Sequence, residues 1–206
     1  MSATRWESHV ESVKAIRYQA PQLRLVVSKL CKICDDAKSK SDANNLFDAL
    51  GRFEFLVGMI IWHDILFAVN KVSKMLQSST MCIDSALKQI KGITKYFEKY
   101  RDEGFSSSLS IAKGIATEMG IEPLFPVKRH AKRKRQFGES DCQEEILEAE
   151  KAFRVKYFFV LVDMAVTSLK DRFKELMVFK DIFGFLLSSG TLKSLSDNEL
   201  EECCTK

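Results

Sequence analysis

Histidine, proline and glycine are scarce in this chain, with 3, 3 and 9 residues out of 206. It has no Asn-Gly hairpin turn, no sustained apolar–polar alternation and no regular series of short β-branched runs, which argues against a sheet. With only His9, His63 and His130 present, imidazole chemistry has little material. Glycine-rich phosphate loops, serine nucleophile elbows and His-Glu-x-x-His are absent, so none of the reactions those motifs mark is indicated. No cofactor and no small-molecule substrate is implied.

Long apolar runs are missing as well. The longest, residues 55–62 and 157–162, end at His63-Asp64 and at Asp163. Both fall well short of the roughly 18 residues a membrane span requires, so no spanning helix and no membrane partner are expected. The polar opening, residues 1–11, lacks the basic start, apolar region and small-residue cleavage site of a secretory signal. The expectation is an intracellular protein. In a reducing compartment the six cysteines read as small buried hydrophobes or inert thiols rather than a disulfide framework. Cys31-Lys32-Ile33-Cys34 has the spacing of a zinc hook, but tetrahedral coordination needs a second pair, and adjacent Cys203-Cys204 converge poorly on one ion. No metal site is expected.

What the chain does have is helical periodicity nearly throughout and one concentrated block of charge. Hydrophobic residues make up 46% and charged residues 29%, a balance that supports a folded globular core. The net charge of +4 is unevenly spread: Lys128, Arg129, Lys132, Arg133, Lys134 and Arg135 carry +6, leaving −2 for the remainder. Three readings of this run stay open: a solvated loop, a nuclear import signal, and a contact to phosphate backbones of DNA or RNA. No aromatic residue interleaves the charges, so base stacking is not suggested there.

The pattern predicts an all-α, irregular multi-helix bundle with two long helices, about 52–77 and 148–179. A first helix from Thr4 should stop by Gln19 or Ala20, because the residue before Pro21 is pushed out of helical geometry. A second, opened by Pro21, should bury Leu23, Val26, Val27, Leu30, Ile33 and Cys34. Ser41-Asp42 offers caps for a short helix ending at Gly51. The long helix over 52–77 is apolar almost all round in its first half. Its second half carries His63, Asp64, Asn70, Lys71 and Lys74, a stripe expected to face solvent. Ser78, Ser79 or Thr80 should cap a fifth helix ending before Gly104, and a sixth should stop at a left-handed Gly120. Residues 1–120 then form a helical lobe, 121–143 a basic, proline-containing linker, and 144–206 a long helix plus a short one announced by Ser196-Asp197-Asn198-Glu199. That final unit is expected to pack back on the first lobe. His63 beside Asp64 invites a catalytic dyad, but neighbours on a helix point about 100° apart, so no orienting hydrogen bond is expected between them.

Thr4-Arg5-Trp6, read with Trp62-His63-Asp64-Ile65-Leu66-Phe67 and the basic run after Pro126, resembles one segment of the hAT-type DNA transposases. The likeness is strongest to their transposon-derived zinc-finger MYM-type members. In that family the segment is a helical insertion within an RNase H-like catalytic domain. The resemblance implies that Trp6 would stack on a DNA base and that Arg5 would lie beside phosphates. A tryptophan anchoring the first helix is the competing reading. The resemblance also implies that the three metal-binding carboxylates of such transposases belong to strands and segments on either side of this one. A catalytically inert, nuclear or cytoplasmic association module is therefore expected. Its partners would be nucleic acid, a full-length relative that it assists in transposition, or a second copy through an exposed apolar patch. A piece with no selected function is the remaining reading.

Overall fold

The structure, a computed structural model, describes residues 5–78, 81–126 and 142–184, together with Lys193 and Ser196. Among the described residues six α-helices follow one another: α1 Arg5–Ile33, α2 Ala37–Leu50, α3 Phe53–Leu76, α4 Ile83–Glu118, α5 Cys142–Phe153 and α6 Val160–Phe183, with a π-helical turn, Arg154–Phe159, joining the last two. No strand occurs among the described residues. The all-α expectation holds, while several expected boundaries move.

The break expected before Pro21 is a kink rather than a stop. The helix runs through it for 29 residues, and the distortion falls at Gln19, with φ −123° and ψ 17°. Proline lacks the N–H that would bond to Arg17 and its ring crowds that carbonyl, so the turn ahead of it opens. The short helix begins at Ala37, ahead of the expected Ser41-Asp42 cap. Asp36 takes that role, its carboxylate accepting the Ser39 N–H at 2.8 Å. This bond holds the Asp36 carboxyl below its usual range. Gly51 ends the helix as expected.

The central helix α3 matches its expected span and buries Leu56, Val57, Ile60 and Ile61 completely. By length and composition it also meets the measure of a membrane span, yet 56% of that window is buried inside the bundle. The expected solvent stripe of its second half is partly wrong: His63 and Asn70 are only 7% and 8% exposed. The first limb of α1 covers them, running antiparallel to α3 with Glu7 on Lys74 and Arg17 on Asp64.

The largest correction concerns α4. The expected fifth and sixth helices are one 36-residue helix that begins after Cys82 and passes straight through Gly104. Gly104 is a packing glycine, not a stop: a Cβ there would lie 2.5 Å from the buried Tyr100 ring. Gly120 does end the helix in the left-handed region, φ 64°. The Ile121 N–H reaches the Ala116 carbonyl at 2.8 Å and the Gly120 N–H reaches that of Thr117 at 3.2 Å, together satisfying two orphan carbonyls. The chain then turns back so that Phe125 enters the core, its ring 5.2 Å from Phe53 and 5.1 Å from Phe153.

The final long helix is likewise interrupted by its π-helical turn. Inserting a residue re-aims the apolar face, so that Phe153 and Tyr157 meet the Phe125 end while Phe158 and Val162 are fully buried further on. α6 packs antiparallel on α4 through Asp163 with Arg101, Lys170 with Glu98 and Lys180 with Asp84. These exposed pairs contribute little energy and chiefly set register. The expected terminal helix at Ser196 lies outside the described residues, apart from Ser196 itself.

Two glycines in α4 should answer substitution in opposite ways. Gly104→Ala forces the Tyr100 ring to move and should cost about 1–3 kcal/mol. Gly114→Ala meets nothing within 4 Å and should gain about 0.5–1 kcal/mol from helix propensity. Chemical denaturation midpoints of the two variants compare them directly.

Candidate functional site

Where α1, α3 and α4 meet, a charged cluster sits inside an otherwise apolar bundle. Arg17 projects from the last regular turn before the α1 kink, on the face it shares with Val10 and Val13. Its Nη1 donates to Asp64 Oδ1 at 2.6 Å and lies 2.5 Å from His63 Nδ1. The Arg17 and Asp64 side chains are 13% and 22% exposed. From α4 the Tyr100 hydroxyl lies 3.3 Å from Asp64 Oδ2 and 3.1 Å from the Ser108 hydroxyl. Ser108 is fully buried. The rings of Tyr18 and Phe67 flank His63, one edge-on and one stacked.

Although they are neighbours on one helix, His63 Nδ1 lies 3.2 Å from Asp64 Oδ1. Both side chains bend towards the single cation between them, which overrides the angular offset of neighbouring helix positions. A relay of the catalytic kind is still not assembled. Guanidinium can only donate, so Nδ1 of the neutral ring accepts from Arg17 and its proton sits on Nε2, leaving Asp64 without an imidazole donor to orient. The cluster joins three helices by satisfying each buried polar group with another, and the arrangement is that of a structural lock.

Burial, with lesser help from the Asp64 charge, pushes the Tyr100 hydroxyl far above the ordinary tyrosine range, against the opposing bond from Ser108. Tyr96, stacked on Tyr100, is raised by burial first and Asp64 second. Tyr157 is raised by burial, offset in part by a hydrogen bond with Trp62. Trp62, part of the motif that carried the transposase resemblance, therefore ties α3 to the π-helical turn, where the Tyr157 hydroxyl also lies over Gly58.

Of the residues singled out by sequence, Arg5 opens α1, but the side chains of Arg5 and Trp6 lie outside the described residues. So does the whole basic run, Lys128, Arg129, Lys132, Arg133, Lys134 and Arg135. The flanks of the run are described: Phe125, three residues before it, is pinned between Phe53 and Phe153. Cys31 and Cys34 are partly buried free thiols, and no group of three His, Cys, Asp or Glu placed to hold a metal occurs among the described residues. Sequence reading missed Tyr100 and Ser108 as polar partners. Arg17 falls on the face that carries Val10 and Val13, and a cation there was the available signal for a partner such as Asp64.

Removing the Asp64 charge strands Arg17 in a mostly buried position. After allowance for partial exposure, Asp64→Ala should cost about 2 kcal/mol, and Arg17→Met in the same background should recover part of that loss in a thermal melt. Three of the four tyrosines have folded values raised above the free phenol. Their contribution to stability is therefore complete below about pH 10 and declines as pH rises further. Absorbance of tyrosinate near 295 nm should lag a denatured control and then rise together with alkaline unfolding. No family model, no curated protein and no solved structure matches this chain.

Proposed function

We propose that this chain is a helical association module of hAT-transposase type, without catalytic activity of its own, that contacts nucleic acid in the nucleus through its basic run. The observation that carries the reading is the segregation of charge. Six cations fall within residues 128–135 while the remainder of the chain sums to −2. Phosphate neutralisation by such a block releases counterions and gives sequence-blind affinity. Support also comes from the root of the run, because Phe125 anchors its leading edge to a rigid aromatic cluster. The motifs Thr4-Arg5-Trp6 and Trp62-His63-Asp64 tie the helical scaffold to the transposase insertion, and an all-helical fold is compatible with that origin. The polar lock at Asp64 has no part in binding in this reading; it holds the scaffold.

Filter binding of duplex DNA across a salt series tests the proposal. If all six charges pair with phosphates, the slope of log affinity against log salt should approach about −5. Replacing the six cations by glutamine should flatten it. Absence of binding at low salt would remove the reading.

A further inference from the structure

Among the arginines whose side chains are described, four have an acceptor and two do not. Arg17 donates to Asp64, Arg24 to the Met119 carbonyl, Arg101 to Asp163 and Arg172 to Glu175. Arg52 and Arg154 have neither a hydrogen bond nor an ion pair among the described residues. Arg154 is partly buried. Its guanidinium carbon lies 5.7 Å from the centre of the Phe105 ring and 5.1 Å from that of Phe159, and its Nε is buried without a partner. The Nη groups, equally without a partner, are not buried. Contact with two aromatic faces restricts the planar fork and leaves its outer end free to bind.

The two unpaired arginines, 102 positions apart in sequence, share one place in the fold. Phe125 packs on Phe53 and Phe153, with ring centres 5.2 and 5.1 Å away, and Arg52 and Arg154 are the chain neighbours of those two rings. Arg52, exposed, caps the start of α3, and Arg154 opens the π-helical turn. Three residues beyond Phe125 the basic run begins. We infer that Arg52 and Arg154 bind phosphates of the same nucleic acid that the run contacts, so that the binding surface continues from the run onto the folded body. This rests on the nucleic-acid reading of the run and adds two positions to it.

Phosphate is the anion that fits. A guanidinium fork pairs with two phosphate oxygens at once, and a cation drawn partly out of water gains most from an anion when no carboxylate already faces it. Glu54, Glu122 and Glu150 are the acids closest in sequence to Arg52, Phe125 and Arg154, yet none forms an ion pair with either arginine. Outside the run the chain sums to −2, so a duplex leaving the run is repelled by much of the body and held where cations stand uncompensated. The rival reading makes Arg154 a cover for Phe105 and Phe159 through its stem and flat head. That accounts for one arginine and leaves Arg52 unexplained.

Binding of duplex DNA by the full chain, with the run intact, separates the arginines from the run. Across a salt series Arg52→Gln and Arg154→Gln should each flatten the slope of log affinity against log salt by about 0.9 and weaken binding about tenfold at about 0.1 M salt. The double variant should lose about twice as much slope. Arg154→Lys keeps the charge and should keep the slope while losing affinity with the fork. Arg172→Gln, taken from an existing pair with Glu175 on α6, should leave the slope unchanged. Arg52 is exposed, so its variant should melt at the wild-type temperature and carries the test even if Arg154→Gln loosens the aromatic cluster. A steep wild-type slope that neither glutamine variant alters overturns the inference and leaves the run as the whole contact. Absence of binding by the wild-type chain overturns it together with the reading on which it rests.

Discussion

Passage of α4 through Gly104 is the constraint on which the bundle depends. With a hydrogen in place of a side chain there, the Tyr100 ring folds flat along its own helix, Phe158 lies against it and Phe105 lies against Phe158. One unbroken rod then presents a face to α3 along one side and to α6 along another. A break at Gly104 would divide that rod between two directions and carry the buried Ser108, Ala112 and Ala116 away from the core. Burying Tyr100 also dictates that its hydroxyl find partners, which draws Ser108 and Asp64 into the core and through Asp64 brings in Arg17. The polar lock is a consequence of the aromatic seam.

Two strengths of coupling follow along α1. Its first limb lies along α3, fastened by Glu7 and Arg17, and covers His63 and Asn70. Its second limb, past the Gln19 kink, buries Ala20 and Val27 but leaves Leu25, Val26, Leu30 and Ile33 exposed. The first limb is integral to the core. The second is displayed by it, which is why apolar residues at helical spacing end up facing outwards. Opposite signs are paired within the bundle, while stretches of a single sign occur in the sequence along the second limb of α1, in the basic run and near the C-terminus.

The concentrations of charge were therefore more legible in the sequence than the polar cluster was. A run of six cations can be seen in a linear string, and so can a stretch without carboxylates. A contact between Arg17 and Asp64, or between Asp64 and Tyr100, joins positions 47 and 36 residues apart. No local pattern distinguishes such a partner from any other carboxylate. Periodicity also misjudged the second limb of α1, because it reports that a face is apolar without saying whether another helix is long enough to cover it.

By itself the sequence determined that the chain is helical, that α3 occupies the centre, that Gly51 and Gly120 end helices, and where charge concentrates. These follow from backbone preference, side-chain spacing and composition, all of which act over a few residues. Only tertiary structure decided that Gly104 is crossed rather than obeyed as a stop, that Pro21 bends a helix instead of starting one, and that His63 and Asn70 are covered. Each of those outcomes depends on what a neighbouring helix brings to the same place. Packing energy gathered over a whole interface outweighs a local preference of about 1 kcal/mol for ending a helix at glycine.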